Sequence, residues 1–122
     1  MTVSQEAMEY REISQHQDVY LMLQIYCPGR QVGLPYRNRM ADLPIDEMNL
    51  SVRSTNALMR ANAGTFGRVM DILMTGNGLK KIRNLGAKSE REIIRSFFTA
   101  CYYKLNPAEQ AVFWQKVIER SA

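Results

Sequence analysis

Residues that carry chemistry are scarce in this chain. Its 122 residues include one histidine (His16), one tryptophan and two cysteines. Cys27 and Cys101 match no metal-ligand spacing and read as two reduced, partly buried thiols. There is no P-loop, no metal-spaced cluster and no ordered acid–base pair. An enzyme is therefore not expected, and neither a metal nor any other cofactor is. Long apolar runs are missing too. The longest, around Val19 to Cys27, is interrupted by Gln24 and is too short to span a bilayer. The start of the sequence lacks a cationic stretch, an apolar core and a small-residue cleavage site, so a cytoplasmic protein is expected.

What is present is ordinary in amount and uneven in placement. Hydrophobic residues make up 46% of the sequence and charged residues 23%, the balance of one soluble domain with a modest core. Residues 1–27 carry one arginine against Glu6, Glu9, Glu12 and Asp18. Residues 61–105 carry eight cations against three acids, within a net charge of +4. That asymmetry points mildly to a polyanionic partner.

Helical spacing dominates, and nothing alternates like a sheet. Met8, Ile13, His16, Tyr20, Leu23 and Tyr26 fall mostly three or four apart, which predicts one helix over Glu6–Tyr26. The competing reading breaks the element near His16-Gln17-Asp18 and makes Val19–Tyr26 a strand. Residues 28–45 contain Pro28, Pro35, Pro44, Gly29, Gly33, Arg30, Arg37 and Arg39. They read as a solvated linker, with a basic strap on a phosphate backbone as the sharper alternative. Ser51 can cap a helix from Val52, with Leu58 and either Val52 or Thr55 inward. Thr65 can cap a second, carrying Phe66, Val69, Met70, Ile72 and Leu73 inward. Leu79–Arg83 predicts a very short helix, followed by a hairpin at Asn84-Leu85-Gly86 with Gly86 at positive φ. Ser89 and Glu92 have the spacing of a capping box that opens the next helix, with Ile93, Ile94, Phe97, Phe98 and Cys101 inward. Phe97, Phe98, Tyr102 and Tyr103 read as core rather than as a base-stacking platform. Asn106-Pro107-Ala108-Glu109 starts the last helix, which turns Val112, Phe113, Val117 and Ile118 inward and Trp114 to one edge. The fold class is all-α.

Two blocks carry the functional signal: Leu50–Leu58 and Leu79–Ile93. Each sets small or cationic polar residues at a helix start, where free backbone N–H groups and the helix dipole attract anions. Arg53 and Lys88 decorate the two starts, which side by side would suit two phosphates or a nucleic-acid groove. Taken alone, each residue also has a plain reading. Arg53 could be an ordinary exposed helix arginine, Ser89 a cap, and Gly86 a requirement of the hairpin.

Together, Ile45-Asp46-Glu47-Met48-Asn49-Leu50-Ser51-Val52-Arg53-Ser54-Thr55-Asn56-Ala57-Leu58 and Arg83-Asn84-Leu85-Gly86-Ala87-Lys88-Ser89 with Glu92-Ile93 resemble the C-terminal domain of the bacterial RNA polymerase alpha subunit. The resemblance covers roughly residues 43–100 and implies a bundle of short helices with two helix-hairpin-helix-like halves. On that basis 43–104 is the family-like domain, 1–42 an extension and linker, and 105–122 a helix packing on it. Members of that family bind the minor groove of A·T-rich DNA and contact activators and sigma factor. Carried over by position, the implied DNA-binding residues are Arg53, Asn56, Gly86, Lys88, Ser89 and Glu92. Glu92 repels phosphate, so its expected task is orienting Arg53 or capping Ser89. The resemblance breaks at Met59, where the family commonly has a lysine, and a protein without the long N-terminal assembly domain of alpha is expected. A stand-alone, non-catalytic DNA-binding module of a bacterial cytoplasm, nucleoid-associated, is the expectation. The alternative is a protein-interaction module that binds polymerase, sigma factor, an activator or itself as a homodimer, keeping the fold without DNA binding. No membrane partner is expected.

Overall fold

The computed structural model describes residues 2–15, 18–28 and 32–119. Among them the fold is all-α, as the sequence implies. Its helices are α1 Gln5–Ser14, α2 Val19–Tyr26, α3 Val52–Arg60, α4 Phe66–Leu73, α5 Ala87–Tyr103 and α6 Pro107–Glu119. Short 3-10 turns lie at Asn38–Met40, Ile45–Met48 and Gly78–Lys81, the last replacing the brief helix expected over Leu79–Arg83. The residues divide into two units, Met1–Pro35 with Cys101–Ala122, and Tyr36–Ala100.

In the first unit the single helix expected over Glu6–Tyr26 is two helices, as the interruption in the competing reading has it, but Val19–Tyr26 is helix rather than strand. The second helix opens at Asp18, whose carboxylate accepts from the Leu21 N–H at 3.0 Å and caps α2. A short acid competes with the helix for its own backbone donors, so it starts a helix better than it continues one. His16 lies outside the described residues. The inward face of α1 also differs from expectation: Ala7 and Ser14 are buried, whereas Met8 is 40% exposed.

Ser14 is buried because its hydroxyl is engaged. Trp114 Nε1 donates to the Tyr102 hydroxyl at 2.8 Å, that hydroxyl lies 2.5 Å from Ser14 Oγ, and Ser14 Oγ donates to the Arg11 carbonyl at 2.6 Å. Each polar atom of this relay thus keeps a partner in the interior, where an unpaired one would be costly. Trp114 is therefore wholly buried rather than at an edge, packed edge-on against Phe113 and Tyr102. α6 opens as expected, with Asn106 Oδ1 accepting from the Glu109 N–H and Glu109 Oε1 from the Asn106 N–H. Of the aromatic cluster, Tyr103 is 44% exposed while Tyr102 is buried.

The second unit is built on local caps. Ser51 Oγ accepts from the Ser54 N–H at 3.2 Å to start α3, and Thr65 Oγ1 from the Arg68 N–H at 3.3 Å to start α4. α3 ends with Asn62 at φ 57°, the Asn62 N–H bonding the Met59 carbonyl and the Ala63 N–H the Leu58 carbonyl. This is the left-handed closure most often made with glycine, here made with asparagine. The inward face of α3 is Ser54, Ala57 and Leu58, and Val52 is 77% exposed. α4 is held close to the preceding strap: the Phe66 N–H bonds the Leu43 carbonyl and the Gly67 N–H the Ala41 carbonyl. A Cβ on Gly67 would stand 3.0 Å from both the carbonyl oxygen and the Cβ of Ala41, so glycine alone fits without a shift of the strap. Phe66 and Phe97 meet edge to face at 5.6 Å, with both rings buried.

Candidate nucleic-acid interface

The start of α3 is fastened by a residue of α5. Glu92 Oε1 accepts from Ser51 Oγ at 2.8 Å and from Ser54 Oγ, and Glu92 Oε2 accepts from the Ser51 N–H at 3.3 Å. The Ser54 hydroxyl above all, then the Ser51 hydroxyl and N–H, and the nearby charge of Lys88, hold the Glu92 carboxyl below its ordinary pKa against the opposing effect of burial. Of the two expected tasks for Glu92, capping Ser89 needs correcting. Glu92 does not pair with Arg53, which makes no ion pair among the described residues, and it does not cap Ser89. α5 begins at Ala87, so Ser89 lies inside its first turn and cannot be the cap.

The hairpin is corrected as well. Its left-handed residue is Asn84, at φ 64°, and Gly86 does not have positive φ. Asparagine tolerates that region through local hydrogen bonding, so the turn needs no glycine there. A Cβ at Gly86 would meet nothing within 4 Å, so its value is openness toward solvent rather than backbone freedom.

These bonds tie the start of α3, which carries Arg53, to the helix that carries Lys88. Ser51 and Ser54 bracket Arg53, and both are tied to Glu92, one helical turn after Lys88. Arg53 and Asn56 are exposed and three apart on α3, hence on one face. Gly86 and Lys88 are exposed, and Ser89 is half-buried at the start of α5. The two helix starts are not equivalent. That of α3 already holds an anion, the Glu92 carboxylate, so an external phosphate has the start of α5 and the side chains of Arg53 and Lys88. Residue type alone does not single out Ser51 and Ser54 as parts of the site. Ser54 carries the signal that reveals the clasp: it stands three and four residues before Ala57 and Leu58, so it faces inward and needs a buried partner.

Fold and clasp together define a small helical domain in which a carboxylate of α5 is bonded to the start of α3. Residues 35–97, just over half of the sequence, match the family model for the C-terminal domain of the bacterial RNA polymerase alpha chain. Similar curated proteins include three named DNA-directed RNA polymerase subunit alpha. The one from Carboxydothermus hydrogenoformans is 43% identical over 48% of this protein and 18% of its own length. That from Malacoplasma penetrans is 49% identical over 43% of this protein and 15% of its own length. That from Rubrobacter xylanophilus is 42% identical over 54% and 20%. The match thus spans a fifth or less of those relatives. No solved structure matches. The protein belongs to the family of bacterial RNA polymerase alpha C-terminal domains. Among the described residues no helix is long and apolar enough to cross a membrane.

Proposed function

We propose that this protein is a non-catalytic DNA-binding module of bacterial transcription, acting in the cytoplasm at the nucleoid. Arg53 enters the minor groove of A·T-rich duplex, where a narrow groove concentrates negative potential. Asn56 offers its amide to groove-edge acceptors on the same face. The backbone at Gly86, Lys88 and the Ser89 hydroxyl take phosphate oxygens. Glu92 sets the position of Arg53 through Ser51 and Ser54 rather than touching DNA. The observation that carries this reading is the Glu92 clasp, which joins the Arg53 and Lys88 helix starts. RNA polymerase, sigma factor or an activator is the expected protein partner, and a second copy of the same protein is a further one.

The test is a titration of labelled A·T-rich and G·C-rich duplexes with the wild type and Arg53→Ala. Wild type is expected to prefer A·T-rich duplex, with affinity falling as salt rises. Arg53→Ala is expected to lose about tenfold or more on that duplex, roughly one well-placed groove contact. Equal affinities of both proteins for both duplexes would remove the proposal. The exposed Val52 beside Arg53 favours the second reading, a protein-binding face, in which Val52→Ser weakens partner capture and leaves DNA affinity unchanged.

A further inference from the structure

A cleft of about 590 Å³ opens in the second unit, and none of its lining residues is among those assigned to DNA above. Its apolar lining comes from Ala61, Ile72 and Ile82, and its cations from Arg60, Lys81 and Arg83. No carboxylate lines it, and none of the three cations makes an ion pair among the described residues. All three are exposed, while Ile82 is buried. A phosphate backbone is hydrated and brings no apolar group to fill such a lining. The chemistry fits instead an apolar side chain flanked by carboxylates.

That chemistry is found on α1. Gln5, Met8, Glu9 and Glu12 are spaced i, i+3, i+4 and i+7, so they share one face. That face is opposite the buried Ala7 and Ser14, and it is exposed: Met8 is 40% exposed, and Glu12 remains 68% exposed although it lies 3.8 Å from Arg11. One thioether beside two carboxylates therefore faces outward on one unit, and an apolar cleft ringed by three cations opens on the other. A flexible methionine suits an irregular apolar lining.

We propose that this cleft receives the Met8–Glu9–Glu12 face of α1 from a second copy of the protein, giving a weak, salt-sensitive homodimer. Exchange in both directions closes the pair with two-fold symmetry. The area offered by one helix face places it among transient contacts rather than permanent ones.

The experiment is sedimentation equilibrium of the whole protein from about 1 µM to about 1 mM, the range of weak association. Two charge-reversed variants are compared with wild type, each checked for helical content by circular dichroism. One is Lys81→Glu with Arg83→Glu, and the other Glu9→Lys with Glu12→Lys. Each alone juxtaposes like charges and is expected to weaken dimerisation about tenfold or more. Mixed together, the two are expected to form a heterodimer, because one of its two contacts pairs the reversed cleft with the reversed helix and the other pairs the unaltered cleft with the unaltered helix. A wild type that stays monomeric throughout overturns the proposal, as does a mixture of folded variants that fails to associate. A dimer indifferent to the reversals overturns it too. Lys81→Glu with Arg83→Glu losing as much DNA affinity as Arg53→Ala, with dimerisation unchanged, would assign the cleft to DNA instead.

Discussion

Removing the Glu92 side chain tests the clasp directly. Glu92→Ala deletes an acceptor for the Ser51 N–H, the Ser51 hydroxyl and the Ser54 hydroxyl. Ser51 is exposed, so water replaces most of what it loses, and its own hydroxyl still accepts from the Ser54 N–H. Ser54 is wholly buried, and stranding its hydroxyl costs about 1–3 kcal/mol, less whatever it regains by turning to a carbonyl of its own helix. Losing a negative charge at the start of α3 adds about 0.3–1 kcal/mol. The sum is about 1–4 kcal/mol, a sizeable part of the roughly 5–15 kcal/mol that holds most domains folded. Urea denaturation at neutral pH reads it as a lower midpoint with an unchanged slope. The pH dependence has a definite sign. The folded pKa of Glu92 is depressed, so its contribution is complete above the ordinary glutamate value of about 4.3 and is lost as pH falls through the folded value. The gap between wild type and Glu92→Ala must therefore shrink in acid. A gap under about 0.5 kcal/mol at pH 7, the scatter of ordinary surface substitutions, refutes the clasp, and so does a gap that acid leaves unchanged.

Two further outcomes follow from packing. Gly67→Ala gains helix propensity of up to about 1 kcal/mol but drives a Cβ to 3.0 Å from Ala41, so a net loss of about 1–2 kcal/mol is expected in urea denaturation. A stabilised variant would show that the strap at Ala41 yields freely. Burial pushes the Cys101 thiol up to about 12, so in a Cys27→Ala background its labelling by a disulfide reagent at pH 8 should follow unfolding and accelerate with urea. Prompt labelling of the native protein refutes that.

What is legible in the sequence is local. Ser51, Thr65 and Asn106 declare their helices because each cap is settled within three residues by a side chain and a nearby N–H. The core positions of α4 follow from spacing, and Phe66 and Val69 are buried as expected. The failures have equally specific causes. Apolar spacing runs straight through Asp18, and a periodicity count does not register that a carboxylate there would rather cap than continue. At the hairpin, glycine is the residue type that suggests a left-handed turn, yet Asn84 makes it. Glu92 satisfies a template with Ser89, three residues away, but its partners are Ser51 and Ser54, 41 and 38 positions away. A local pattern cannot compete with a tertiary one it does not see.

The clasp also explains why a carboxylate can stand in a face proposed to meet a polyanion. An unengaged Glu92 would repel phosphate and lower the potential that Arg53 and Lys88 create. Engaged as it is, its charge is directed inward at the start of α3, and Lys88 one turn earlier offsets what remains. The consequence is a division of labour between the two helix starts. On the proposed reading, that of α3 gives up attraction for anions in return for holding the backbone that carries Arg53, whereas that of α5 would keep its backbone donors for phosphate beside Lys88. A groove-entering guanidinium needs position more than it needs extra field, since the groove supplies the field. Phosphate contacts need the reverse, because they recur along any duplex and tolerate small displacements. Selectivity for base composition should then follow the integrity of Glu92, Ser51 and Ser54, and overall affinity the cations around α5.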